Sequence, residues 1–196
     1  MATMNLAPDG LAVSGWVANT GTVNDALATN DGDTTYAEAG TDTETCTLTF
    51  AAPSVAEGDI SSITSVQILT LGRYPARGSG GTDVEVEYEV GASSGHEETL
   101  NYPNSAVHNA RDGTARTTNP AGSAWSYANL GDVEVSLTKD GAASPDVRIT
   151  YLSLLVTYVE AAAGYGNTVI GVETGDIGKV IGVATANIDK VTGVDD

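Results

Sequence analysis

Residues 83–90 read DVEVEYEV, where Val84, Val86, Tyr88 and Val90 alternate without a break with Asp83, Glu85, Glu87 and Glu89. A side-chain period of two places the apolar set on one face of a pleated strand and the carboxylates on the other, so this stretch reads as a half-buried strand. Its acidic face is expected to be a solvated surface that also discourages edge pairing, with cation capture as the alternative. The same alternation recurs in TCTLTF at 45–50, with Cys46, Leu48 and Phe50 inward, and in DVEVSLT at 132–138, with Val133, Val135 and Leu137 inward. Further strands read at roughly 11–18, 63–71, 97–102 and 147–159. The last is apolar on both faces from Leu152 onward, which suits a central strand covered twice or one bulged partway.

Turn-rich clusters such as ATNDGDTT, ARGSGG, VGASSGH and TKDGAASPD separate these runs, and no long stretch carries a 3.6-residue period. The body is therefore all-β, with about eight strands. Open sheet edges are a liability, so a jelly-roll-like antiparallel β-sandwich over residues 1–160 is the expected closure, with Trp16 and Trp125 in its core or rim. The single cysteine, Cys46, is expected to be a small core residue; it has no partner for an intrachain disulfide and belongs to no metal-binding cluster.

The chain carries 26 acidic residues against 8 basic ones, a net charge of −18. Such a surface repels phosphate backbones and anionic headgroups, which argues against nucleic-acid and membrane partners. The longest apolar run, 147–159, is shorter than the ~20 residues of a membrane-spanning helix and contains an arginine. The opening MATMNLAPDG has neither a basic region nor an apolar core, so it does not read as a secretory signal. Neither a Gly-x-Ser-x-Gly elbow nor a His-Glu-x-x-His helix occurs, and the expectation is a protein that is not an enzyme.

After EAAAGYG, whose residues 161–166 read as a linker, the tail 167–196 repeats itself with a period of 11: TVIGVETGDIG, KVIGVATANID and a truncated KVTGVDD. Each unit is too small to bury its own apolar side chains. They must find cover on the parent domain, on a neighbouring copy or on another protein. The residues expected to make that assembly contact are Val169, Ile170, Val172, Ile177, Val180, Ile181, Val183, Ile188, Val191 and Val194. A homo-oligomer follows, and a trimer is one closed symmetry in which tails would cover one another.

The succession SGWVAN, NDGDTTYAEA, TLTFAAPSV, ISSITSVQI, AWSYANL and DVRITYLSLLVTY resembles the jelly-roll virion proteins of tailed phages, and the KVIGVA-type repeats are similar to C-terminal ends of phage structural proteins. The resemblance implies a structural component of a virion, in a decoration or cement protein, a head fibre or the tail, with other virion proteins as partners. The NDGDTTY turn is also similar to the first loop of galactose-binding-like β-sandwich modules, where such a turn often holds a structural calcium. Asn30, Asp31 and Asp33 offer the hard oxygen donors calcium prefers, although no bidentate glutamate follows at EF-hand spacing. A plain Asx-turn is the competing reading of that loop. The alternative function is thus a carbohydrate-binding sandwich, with Tyr74 or Trp125 expected to stack on sugar. RYPARGSGG at 73–81 reads as a surface hairpin loop, and His108, Arg111 and Arg116 in HNARDGTAR as a solvated loop or a contact to an acidic neighbour.

Overall fold

A computed structural model of the chain describes residues 1–32, 34–39, 43–75, 81–140 and 146–162, together with Lys179–Val180 and Val183–Ala184. In chain order the strands are β1 (Ala2–Leu6), β2 (Pro8–Ser14), β3 (Val17–Ala18), β4 (Ala37–Ala39), β5 (Thr45–Phe50), β6 (Ile60–Arg73) and β7 (Gly81–Val90). They continue with β8 (Ser93–Pro103), β9 (Asn109–Ala110), β10 (Val133–Asp140), β11 (Val147–Glu160), β12 (Lys179–Val180) and β13 (Val183–Ala184). The described residues also include two short α-helices, α1 (Val23–Ala28) and α2 (Tyr127–Asp132), and a 3-10 turn at Glu57–Asp59.

Strands β1 to β11 form a jelly-roll-like antiparallel sandwich. One sheet runs β3-β4-β11-β6-β9, with β1 pairing β11 on the side that β4 also uses. The other runs β2-β5-β10-β7-β8. The alternation read in the sequence sets the facing: Cys46, Leu48, Val84, Val86, Val135 and Leu137 are buried from the β10 sheet against Val66, Ile68, Leu152, Leu154 and Val156 of the β11 sheet. The central strand β11 slips register between Ile149 and Tyr151, between Thr157 and Tyr158, and between Val159 and Glu160, while Leu152, Ser153 and Leu154 between those slips are buried in succession, so the strand is both bulged and, over that stretch, covered on both faces. The chain passes from one sheet to the other between Leu6 and Pro8, since β1 pairs β11 and β2 pairs β5. Strands β7 and β8 meet across Gly91 and Ala92, and Gly91 has φ +61°, the positive value a tight hairpin asks of its first loop residue.

The helices plug openings rather than form a layer. Thr22 caps α1 by accepting from the Asp25 amide at 3.4 Å, and Val23, Ala26 and Leu27 are buried from it. Ser126 and Asn129 form a reciprocal capping box on α2, which buries Leu130 and ties Tyr127 Oη to the Val55 carbonyl at 3.0 Å. Trp16 and Trp125 are buried, as expected of them, and their ring N–H groups donate to the carbonyls of Glu44 and Arg116 at 3.0 and 2.9 Å.

The stretch 108–116, expected to be a solvated loop or a partner contact, is a cover for the free edge of β6. The Arg111, Gly113 and Arg116 amides donate to the carbonyls of Thr70, Ile68 and Val66 at 3.0, 2.9 and 2.8 Å. Its cations are used internally: Arg111 donates to the Asn101 and Ala110 carbonyls, and Arg116 pairs with Glu98 at 3.2 Å and donates to the His96 carbonyl. Gly113 is needed for close approach, because a Cβ there would lie 2.5 Å from Ile68 Cγ2.

Two buried phenols lock this edge across the sandwich. The Ile68 amide donates to Tyr88 Oη at 2.8 Å, and Tyr102 Oη lies 2.6 Å from Thr70 Oγ1, which donates onward to the Arg111 carbonyl. With the threonine proton committed to that carbonyl, Tyr102 is the donor in the pair. Burial pushes both phenols well above the usual 10.0. The folded state therefore keeps these protons where the unfolded chain releases them, and the stability they contribute is intact below pH 10.0 and lost as pH rises beyond it. Tyr88→Phe, which strands the Ile68 amide, is expected to lower unfolding free energy by about 1–3 kcal/mol in urea titrations and to flatten the decline above that pH. An unchanged urea midpoint would contradict the tether.

Candidate functional site

The NDGDTTY loop follows α1 and is held mainly by its own polar groups. Asp31 accepts from the Thr35 amide and hydroxyl at 3.2 and 2.9 Å, and the Asp31 carbonyl accepts from Thr34 Oγ1. Asn19 clamps the far side, accepting from the Tyr36 amide at 2.8 Å and donating to the Thr34 carbonyl at 3.0 Å. Gly32, at φ +80°, makes the turn. The Asp31 carboxylate thus closes the loop onto Thr35, four residues on, a span longer than the two-residue reach of an Asx-turn. Of the six to eight oxygens calcium takes, the described residues bring one carboxylate, Asp31, whose two oxygens already accept from Thr35; Asn30 is exposed and Asp33 lies outside the described residues. Beyond the loop, the Arg148 guanidinium sits 4.4 Å from the Tyr36 ring centroid and 3.0 Å from Glu38.

The aromatic platform expected from Tyr74 or Trp125 is not at the surface. Tyr74 is 8% exposed and Trp125 4%, so neither ring presents a face to a sugar. Trp125 is held inward because its N–H satisfies the carbonyl of Arg116 in the edge cover. Arg77 lies outside the described residues, as do most of the expected assembly residues: Val169, Ile170, Val172, Ile177, Ile181, Ile188, Val191 and Val194. Val180 and Val183 are placed directly opposite each other, on β12 and β13.

What reading strand by strand misses is the outer face of the β10 sheet. Register aligns Thr49, Glu134 and Glu89 in one row, Thr47, Ser136 and Glu87 in the next, and Thr45, Thr138, Glu85 and Thr99 in a third. Adjacent strands stand about 4.8 Å apart, so each row is a ladder of hydroxyls continuing into carboxylates. Thr47 Oγ1 and Ser136 Oγ are 2.8 Å apart, and Thr45 Oγ1 and Thr138 Oγ1 2.9 Å. These short side chains form a floor between longer glutamates. The relief produces two hollows, one of about 390 Å³ bounded by Glu85, Glu87, Glu97, Thr99, Ser136 and Thr138, the other of about 330 Å³ reaching Thr49, Glu89, Asp132 and Glu134. No lysine or arginine lines either hollow. Chemically the surface is rich in acceptors, with hydroxyls able to donate or accept, which suits a polyhydroxylated ligand or a cation.

Cys46 is no nucleophile in this fold. It is fully buried on the inner face of β5, and burial pushes its thiol up to about 12. His96, at φ +58°, lies within 2.7 Å of the Thr118 carbonyl through Nε2 and meets the Tyr88 ring edge-on at 6.2 Å.

No protein-family model and no curated protein matches the chain. Among solved structures it is similar to a truncated AlyQ with CBM32 and alginate lyase domains, at 13% identity and a TM-score of 0.46. That similarity spans 83% of this chain and 35% of the other.

The buried thiol gives a direct check on the packing of β5. Cys46 is expected to stay unmodified by a thiol-reactive dye in the native protein and to react fully once denaturant unfolds it; labelling of the folded chain at the unfolded rate would contradict this placement.

Proposed function

We propose that the protein is a non-catalytic carbohydrate-binding β-sandwich whose ligand lies along the outer face of the β10 sheet. The observation that carries this reading is the set of rows in which Thr47, Ser136 and Glu87, and Thr45, Thr138, Glu85 and Thr99, stand side by side. A carboxylate oxygen accepts strongly from a sugar hydroxyl, and two neighbouring oxygens suit a vicinal diol. Threonine and serine hydroxyls on the floor supply the adaptable partner, donating to ring or hydroxyl oxygens. With Tyr74 and Trp125 buried, recognition is polar and lacks ring stacking, so affinity per site is modest and multivalent display raises it.

Charge narrows the ligand class. A net of −18, with acids on this face and no base in either hollow, repels uronic or sulfated chains. Neutral or amino-substituted glycans remain. Placement of such a module on a phage particle follows from the sequence resemblance alone, and a glycan-binding sandwich is compatible with that setting.

Affinity electrophoresis and calorimetry against neutral, amino and anionic polysaccharides test the reading. Binding is expected for the first two classes and not the third. Glu87→Gln is expected to weaken it about 10-fold or more, since a hydrogen bond to a charged group is worth about 1.5–3 kcal/mol. Absence of binding to every neutral and amino polysaccharide, or full affinity in Glu87→Gln, would overturn the proposal.

A further inference from the structure

We propose that the outer face of the β11 sheet is the contact surface for a second copy of this chain, with two sandwiches packed back to back. Along β6 and β11 the register sets Leu71 beside Tyr151, Leu69 beside Ser153 and Gln67 beside Leu155. These residues point away from the core, because their neighbours Ile68, Thr70, Leu152 and Leu154 are buried in it. The patch they form is flat. Residues two apart on a strand stand about 6.8 Å apart, so Tyr151 lies along its own strand for Oη to donate to Ser153 Oγ at 2.9 Å. That ring helps to bury Ser153 on a face where Leu69, Leu71, Tyr151 and Leu155 are themselves half-buried. None of those four belongs to the core cluster of the sandwich. A contiguous apolar patch outside the core marks a surface that gains by being covered.

Charge selects the partner. Each copy carries a net −18, and two copies meeting through the glutamates of the β10 sheet would repel. From Ser65 to Arg73 and from Arg148 to Thr157, with β4 alongside, the outer face of the β11 sheet instead sets one carboxylate, Glu38, against two guanidiniums. Its centre is uncharged. Arg73 and Arg148 stand side by side at one end of the patch, and Ser65 and Thr157 stand side by side at the other. A twofold axis along the middle pair, Leu69 and Ser153, at right angles to the strands, lays the guanidinium end of one copy over the hydroxyl end of its partner. It also lays the Leu71 and Tyr151 pair over the pair that contains Leu155. The patch is self-complementary in that orientation, with apolar groups on apolar groups and no like charges opposed. Stacking this face head-to-tail on the acidic face would press leucines against carboxylates and strip their water, at a cost that two guanidiniums do not offset. The glycan reading is not a premise of this inference, and the dimer leaves both acidic faces outward.

Sedimentation of the full chain across a concentration series, at low and high salt, is the test, with the thermal transition recorded beside it. Wild type is expected to reach twice the 19.9 kDa of one chain and to stop there. Higher salt is expected to tighten the dimer, because it screens the repulsion between two acidic chains and leaves the apolar contact in place. Leu69→Asp and Leu155→Lys place opposite charges in the patch, and each is expected to raise the dimer dissociation constant about 10-fold or more with the thermal transition kept. A wild type that stays monomeric, a mass that climbs past the dimer, a dimer that salt weakens, or folded variants that dimerise as wild type does would each overturn the proposal.

Discussion

The open edge of β6 is the constraint around which the rest of the sandwich is arranged. Strand β6 is paired along one side by β11, and on its other side only Asn109–Ala110 continues as regular strand. Buried amides and carbonyls there must be satisfied, because each one left unpaired costs about 1–3 kcal/mol, a sizeable part of a net stability of about 5–15 kcal/mol. The chain meets the demand with an irregular backbone run from Arg111 to Arg116 and with Tyr88 Oη, which takes the Ile68 amide that the run does not reach. Tyr102 and Thr70 extend the same device by one step. Since Tyr88 and Tyr102 belong to the β10 sheet, closing an edge of one sheet also fixes its distance from the other.

That solution shapes the electrostatics. Arg111 and Arg116 are consumed in holding the cover against β8, and Arg148 is consumed by Glu38 and the Tyr36 ring. Few cations are left to balance the acids of β7 and β10. The outer face of the β10 sheet is accordingly a field of one sign, with small hydroxyls on its floor and carboxylates as its walls. Such a face resists edge-to-edge and face-to-face aggregation of identical sandwiches and leaves the face free for an uncharged or cationic ligand.

Much of this was legible in the sequence where the period of two is strong. TCTLTF coincides with β5 residue for residue, DVEVEYEV lies wholly within β7, and the apolar run at 147–159 is β11 short of its last residue. Short elements escaped for want of periods: β4 has three residues, and α1 and α2 have six each, less than two helical turns. ATMNL carries its alternation only through Met4 and Leu6, too brief to stand out. The segment 108–116 has no periodicity at all, because its backbone is held by β6 and not by a face of its own. The glutamates and threonines of the outer face were each visible, but a row is a property of register between β5, β10, β7 and β8, which single-strand patterns do not encode. Tyr74 and Trp125 invert the lesson: aromatic rings that could serve a ligand are spent on the core.

The proposed glycan site lies on a sheet face and not at the loops. The most direct measurement is a titration of isotope-labelled protein with a neutral oligosaccharide, following backbone amide shifts by NMR. Binding at the proposed site is expected to perturb chiefly Thr45–Phe50, Gly81–Val90, Ser93–Pro103 and Val133–Asp140. Perturbations confined to the Asp31–Tyr36 loop and the neighbourhood of Tyr74 and Asn104, with the outer face of the β10 sheet silent, would contradict it.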